Sequence, residues 1–141
     1  SDTFRLIIYC YPMTGNPNKP LPKNWDIIPG ARGCTPETCS FRDAHDDFIT
    51  RNVVPIGLST QSVPDIKEMT ARLLIPYDIV SDEHLSFVNQ LQLPTFKVED
   101  KVYIKRLTLI VEKSIIKHFF YPVFPPDLHV KEVLQWLDSN R

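Results

Sequence analysis

The sequence of 141 residues has little cysteine, little glycine and no surplus of either charge. Three cysteines are too few, and odd in number, for a scaffold built on disulfides. Sixteen Lys and Arg stand against seventeen Asp and Glu, which makes nucleic acid or an anionic membrane an unexpected main partner. Apolar runs such as residues 6–10 are far shorter than the roughly 20 residues of a membrane-spanning helix. No basic segment followed by an apolar one opens the chain, so a secretory signal is absent or already removed. We expect a cytoplasmic globular protein.

Glycine and proline are concentrated in one segment. Three of the four glycines and five of the thirteen prolines lie between positions 12 and 33. This composition predicts one long irregular loop inside a single domain of residues 1–141. Long loops in compact domains are usually functional.

The spacing of apolar residues predicts alternating strands and helices. Strands are predicted at residues 4–11, 53–59, 77–81, 95–99, 102–112 and 115–121, and helices at 36–51, 64–74, 82–91 and 128–137. Thr35 is the expected N-cap of the first helix, with Pro36 in its first turn. The order β-α-β-α-β-α-β-β-β-α predicts an α/β fold with a mixed sheet and helices on both faces. Ligands of such sheets collect at the carboxyl ends of the parallel strands.

Cys34 and Cys39 form a C-x4-C pair where the long loop meets the first helix. A helix N-terminus stabilises a thiolate through its free N–H groups and its dipole, so we expect Cys34 to have a lowered pKa. Five helical residues rise about 7.5 Å, whereas a disulfide needs Cα atoms within about 7 Å. If the two cysteines pair, the first turns of the helix must therefore unwind. Thr35, Pro36 and Thr38 are poor helix formers, so we expect these turns to open at low cost.

Other interpretations of the cysteines stay open at this point. The pair could be two small buried residues with no chemistry. A zinc site is disfavoured because no second Cys/His pair lies at ligand spacing. Cys10, inside the apolar first strand, is expected to be inert core.

The residues around Cys34 resemble the signature of a known family. Gly33-Cys34-Thr35, followed by C-S-F-R-D from Cys39, is similar to the G-C-T-x-x-x-C-x-F/L-R-D motif of the peroxiredoxins, nearest to the bacterioferritin-comigratory-protein or Q-type branch. Further similar blocks follow in the family's order at residues 8–12, 54–60, 74–82 and 106–111. The resemblance covers nearly the whole chain.

This resemblance implies a thioredoxin-like fold and thiol-dependent reduction of hydroperoxides without a cofactor or metal. Cys34 would be the peroxidatic cysteine, and Cys39 would resolve its sulfenic acid as an intramolecular disulfide. Arg106 would lie beside the Cys34 thiolate, and as a permanent cation it has the right charge for that role. A thioredoxin or similar dithiol protein would be the reductant, and the protein would be a monomer or homodimer.

Two features depart from the family pattern. Ala31 stands three residues before Cys34, where the family has a threonine or serine. The interpretation is that Pro12 and Thr14 begin the motif and that an insertion separates them from Gly33 and the cysteine. Pro12, Thr14 and Gly33 are then expected to line the substrate site, with the Thr14 hydroxyl bonded near the Cys34 sulfur. The family also has a further N-terminal stretch, so the N-terminal part of the domain is expected to be truncated.

Two alternatives to a peroxidase remain. One is a thioredoxin-like disulfide oxidoreductase or redox-sensing protein that does not turn over peroxide. The C-x-x-C pair usual in such oxidoreductases is absent, which favours the peroxidase. The other is a remnant domain without activity, suggested by the missing threonine.

Overall fold

A computed structural model describes residues 4–141, so the first three residues of the predicted domain lie outside the described part. The strands are β1 (Arg5–Cys10), β2 (Val53–Ser59), β3 (Ile79–Ser81), β4 (Thr95–Val98), β5 (Lys101–Ile104), β6 (Leu107–Glu112) and β7 (Ile115–Phe120). The helices are α1 (Cys34–Asp43), α2 (His45–Ile49), α3 (Val63–Arg72), α4 (Ser86–Leu91) and α5 (His129–Ser139). None of these helices is long and apolar enough to cross a membrane.

Five strands form one mixed sheet in the order β3-β2-β1-β6-β7. Strands β1, β2 and β3 run parallel, whereas β6 is antiparallel to both β1 and β7. Strands β4 and β5 pair separately as a two-stranded sheet. The predicted α/β fold with a mixed sheet is therefore confirmed.

Alternate residues of β1 supply the two faces of the sheet. Ile7 and Tyr9 pack into a core with side chains from α1, α2 and α5, among them Phe41, Phe48 and Val133. Cys10 points into a second buried cluster that includes residues of β2, α4 and β6. Successive side chains of β1 thus point alternately into these two clusters, and helices cover both faces of the sheet.

The predicted helix at 36–51 is two helices that meet at Ala44. Thr35 is not its N-cap, because the helix already begins at Cys34 with Gly33 as the cap residue. Gly33 has a φ of +100°, which a residue with a side chain rarely adopts. A Cβ atom at this position would also collide with the ring of Pro126. Glycine therefore fixes where the helix starts.

The predicted strand at 102–112 is interrupted at Lys105 and Arg106. Residues before the interruption belong to β5 in the small sheet, and residues after it belong to β6 in the large sheet. The Lys105 N–H donates to the carbonyl of Pro94 at 2.9 Å, which continues the β4–β5 pairing by one residue beyond Thr95 and Ile104. Arg106 was predicted to be a strand residue, but it lies between β5 and β6, where the chain passes from one sheet to the other.

The long loop of residues 12–33 is anchored on the small sheet. It contains one short 3-10 helix, Trp25–Ile27, that the sequence pattern did not predict. Trp25 packs edge-on against Tyr103 of β5, with ring centroids 5.0 Å apart, and also contacts Phe96 of β4. This aromatic contact holds the loop beside the start of α1.

Candidate active site

Strand register brings two distant segments to the start of α1. Cys10, the last residue of β1, lies opposite Leu107, the first residue of β6. The chain that leaves β1 toward Met13 and the chain that enters β6 from Arg106 therefore meet at one edge of the sheet. This is the carboxyl edge of the parallel strands, where ligands are expected.

The sulfur of Cys34 lies in an enclosed polar setting at this edge. The Arg106 Nη2 donates to Sγ at 3.3 Å, and the Met13 backbone N–H donates to it at 3.4 Å. The thiol in turn donates to the carbonyl of Ala31 at 3.6 Å. Only 3% of Cys34 is exposed. Two donors aimed at one sulfur stabilise a negative charge there, so the geometry suits a thiolate.

Burial works against the thiolate. It raises the pKa of the Cys34 thiol above the ordinary value, while Arg106 and the Met13 amide act in the opposite direction and Glu37 raises it further. The expected lowering of the Cys34 pKa is therefore wrong for this structure, because the sequence did not reveal how deeply the thiol is buried. The donors offset part of the desolvation penalty, so the pKa of the thiol is raised less than burial alone would raise it.

Glu37 shares Arg106 with the cysteine. Its Oε1 accepts from Arg106 Nη1 at 2.8 Å, and the two side chains are 0% and 3% exposed. Arg106 Nη2 also donates to the carbonyls of Gly30 and Arg32 at 3.1 and 2.8 Å, which ties the end of the long loop to the ion pair. Burial raises the pKa of Glu37 to about 7, although Arg106 opposes this. Sequence reasoning missed Glu37, whose only signal was its position three residues after Cys34, on the same side of a helix.

Cys39 lies in the same intact helix as Cys34, and both are free thiols. Cys39 is half-buried, and the side chain next to it in sequence, Thr38, is fully buried. The Tyr77 hydroxyl donates to the Thr38 carbonyl at 2.8 Å, and the Tyr9 hydroxyl, 3.3 Å from Thr38 Oγ1, donates to the Tyr77 oxygen at 2.7 Å. Opening the first turns would break these bonds and disturb the buried Glu37. The opening cost therefore includes contacts that the helix propensities of Thr35, Pro36 and Thr38 do not take into account.

The Thr14 hydroxyl is bonded to Gln61, not to the Cys34 sulfur. Both the hydroxyl and the backbone N–H of Thr14 donate to Gln61 Oε1, at 3.1 and 3.0 Å, and Gln61 Nε2 donates back to the Thr14 carbonyl at 3.2 Å. Thr14 is buried, and its hydroxyl proton is donated to Gln61. The carbonyl of buried Pro12 accepts from Ser59 at 3.3 Å. Pro12 and Thr14 therefore fix the strand-to-loop turn that presents the Met13 amide.

Arg106 also lines an apolar pocket of about 280 Å³. Its lining includes Gly30, Phe96, Val123 and Phe124. Phe124 is 89% exposed, an unusual state for a phenylalanine. Within residues 4–141, no group of three His, Cys, Asp or Glu side chains is arranged to hold a metal ion.

Comparison with known proteins agrees with this arrangement. The sequence model of the AhpC/TSA family matches residues 27–119. Peroxiredoxin Q, chloroplastic, from Oryza sativa subsp. japonica is 24% identical over 135 residues, covering 95% of this chain and 54% of that protein. This chain thus spans about half the length of that curated relative.

Solved structures show the same fold. Peroxidoxin BcpB from Mycobacterium tuberculosis superposes with a TM-score of 0.76 at 21% identity, over 99% of this chain and 81% of that one. The bacterioferritin comigratory protein of Xanthomonas campestris, whose structures concern its alkyl peroxide reduction activity, gives 0.77 at 20% identity, over 99% and 80%. The predicted thioredoxin-like fold is confirmed by these matches.

Proposed function

Since this chain belongs to the AhpC/TSA family, we propose that it is a thiol-dependent peroxidase with Cys34 as its nucleophile. The observation that supports this most directly is the convergence of Arg106 and the Met13 amide on the Cys34 sulfur. These donors stabilise the thiolate before attack. They also lie where the negative charge of a reacting peroxide develops.

The first step oxidises the cysteine. The thiolate sulfur attacks one peroxide oxygen, an S–O bond forms and the O–O bond breaks. The second oxygen leaves with the bonding electron pair and takes a proton from solvent, giving water or an alcohol. Cys34 becomes a sulfenic acid. Arg106 remains charged throughout because a guanidinium does not lose its proton in this pH range.

Cys39 then resolves the sulfenic acid. Its thiolate attacks the Cys34 sulfur and hydroxide leaves as water, so a disulfide forms. Because both residues lie in one helix, this step requires the first turns of α1 to unwind. A thioredoxin or similar dithiol protein returns both cysteines to thiols. We further propose a monomer or homodimer, in the cytoplasm.

The substrate class proposed is hydrogen peroxide together with organic hydroperoxides. The apolar pocket beside Arg106 supports the second group, since it can cover the organic part of a hydroperoxide whose oxygens lie at Cys34. The Xanthomonas campestris protein named above is described for alkyl peroxide reduction. Pro12 and Gly33 contribute by backbone position rather than by side-chain chemistry.

Peroxide consumption coupled to a thioredoxin system tests the proposal. The wild-type protein should consume hydrogen peroxide, Cys34→Ser should not, and Cys39→Ser should still undergo the first oxidation once. An oxidoreductase without peroxide turnover would reduce disulfides but fail with peroxide. A remnant domain would reduce neither disulfides nor peroxide. Failure to consume peroxide would therefore reject the proposal, whether or not the protein reduces disulfides.

A further inference from the structure

One buried hydroxyl near Cys34 has no hydrogen-bond partner. The phenolic oxygen of Tyr11 is enclosed and unpaired, whereas most buried side-chain polar atoms in proteins are bonded. Leaving a buried hydroxyl unpaired costs about 1–3 kcal/mol. A group kept in this state at the edge of a reactive site needs a functional explanation.

The position of Tyr11 fits such an explanation. It directly follows β1 and precedes Pro12, so the turn that presents the Met13 amide to sulfur also places its ring. Tyr11 belongs to the same buried cluster as Cys34 and stacks on Tyr9 with ring centroids 5.6 Å apart. A negative charge on Cys34 is, after burial, the largest contribution that raises the pKa of Tyr11. The hydroxyl is therefore within electrostatic reach of the sulfur and keeps its proton.

Other hydroxyls near the site are occupied. Position 31 is an alanine, and the Thr14 hydroxyl donates to Gln61. Ser59 is near enough to the Tyr11 hydroxyl to lower its pKa, but no hydrogen bond of acceptable geometry joins the two. The Ser59 hydroxyl donates to the Pro12 carbonyl and accepts the Gln61 backbone N–H at 3.1 Å. Unlike the hydroxyls of Thr14 and Ser59, the hydroxyl of Tyr11 therefore still has a proton to donate within the buried cluster that contains Cys34.

We propose that the Tyr11 hydroxyl donates a hydrogen bond to the peroxide oxygen that leaves, taking the place of the hydroxyl missing at position 31. This inference rests on the proposed peroxidase function. In the step, Cys34 sulfur gains the S–O bond, the O–O bond breaks, and Tyr11 stabilises the oxygen that carries the new negative charge. That oxygen receives its proton from water, and Tyr11 keeps its own. A donor aimed at developing charge assists the step because its bond strengthens as the charge grows.

Two reactions of the same thiolate separate this role from a structural one. Peroxide oxidation creates a leaving oxygen, whereas alkylation by iodoacetamide does not. Tyr11→Phe should slow oxidation of Cys34 by about tenfold or more. In this variant the rate of Cys34 alkylation should stay within about twofold of wild type, and the pKa of the Cys34 thiol should stay near the wild-type value. The reason is that the structure gives Tyr11 no hydrogen bond to the sulfur. Since the lost hydroxyl has no partner, the variant should be at least as stable as wild type.

Tyr9→Phe is the matched control. It removes a hydroxyl of the same residue type, two positions earlier on the same face, that is bonded to Tyr77 at 2.7 Å. This variant should lose stability but keep the wild-type ratio of oxidation to alkylation. If Tyr11→Phe oxidises as fast as wild type, or slows equally in both reactions, the inference is overturned. If wild-type Cys34 does not react with peroxide, the proposed function fails, and the inference fails with it.

Discussion

Arg106 binds a fully buried carboxylate, Glu37, in the same helix that carries the reactive cysteine. The two side chains meet at 2.8 Å, while another nitrogen of the same guanidinium lies 3.3 Å from the Cys34 sulfur. One cation thus faces two groups that both carry negative charge when ionised. Each anion weakens the stabilisation that the other receives, because their repulsion in a buried setting is poorly screened. We therefore expect the pKa of the Cys34 thiol to depend on Glu37.

Removing the Glu37 charge should make the cysteine more acidic. Glu37→Gln keeps the shape of the side chain but removes a carboxylate that raises the pKa of Cys34. We expect the thiol pKa to fall and alkylation by iodoacetamide near neutral pH to speed up several-fold, measured as rate against pH. Glu68→Gln, which alters an exposed pair with Arg72, is the control and should change neither value. A Glu37→Gln protein with a raised thiol pKa would show that Glu37 helps the thiolate by holding Arg106 in place.

Glu37 should also leave a signature in stability. Burial raises its pKa from 4.5 to about 7 in the folded protein, so the folded state holds a proton that the unfolded state releases between these values. This contribution to stability is fully present below pH 4.5 and is lost as pH rises through about 7. The free energy of unfolding of wild type minus that of Glu37→Gln should therefore fall across this window, by at most about 1.4 kcal/mol per pH unit. A difference that rises with pH would mean that Glu37 is ionised at the low end of the window.

The pocket beside Arg106 should select for organic substrates. Phe124 forms part of its wall and is largely exposed, so Phe124→Ser removes apolar surface without opening the core. We expect kcat/KM for cumene hydroperoxide to fall severalfold, because burying that surface favours the aromatic group. The rate with hydrogen peroxide should not change. Phe119→Ser, which alters an exposed phenylalanine outside this pocket, is the control and should change neither rate. An equal effect of Phe124→Ser on both substrates would mean that the organic group binds elsewhere.

Oxidation should open α1 only as far as Ala44. The amides of residues 38–42 lie between the buried Glu37 contact and the break between α1 and α2, so their exchange with solvent should be slow in the thiol form. Formation of a Cys34–Cys39 disulfide should accelerate it, while Phe48, buried in the core, remains protected. Hydrogen exchange read by NMR on both forms gives the comparison. Unchanged protection in a protein shown to contain the disulfide would contradict the unwinding argument.

Local patterns in the sequence predicted the sheet and the reactive edge. Strand β2 has its predicted bounds because its apolar run is continuous, and the motif around Cys34 marked the start of a helix to within two residues. Arg106 was placed beside the cysteine only through resemblance, since nothing local distinguishes it from a surface arginine. Its position depends on the interruption between two strands that belong to different sheets.

Contacts between distant segments were beyond local patterns. The pairing of Thr14 with Gln61 joins residues 47 positions apart, and it redirects a hydroxyl that the motif suggested for the sulfur. The Met13 amide carries no sequence signal, because every residue but proline has one. The sequence did not indicate that Glu37 is buried, because a charged residue in a polar helix turn is usually exposed. Each of these features needs the fold before it can be seen.

The central claim is that Cys34 is the thiol that reacts with peroxide, and mass spectrometry after one equivalent of hydrogen peroxide tests it most directly. In Cys39→Ser, the added oxygen should be found on Cys34 as a sulfenic acid, trapped with dimedone. In wild type, a disulfide between Cys34 and Cys39 should appear, while the buried Cys10 stays reduced. Oxidation of Cys39 or Cys10 with Cys34 left as a thiol would contradict the account.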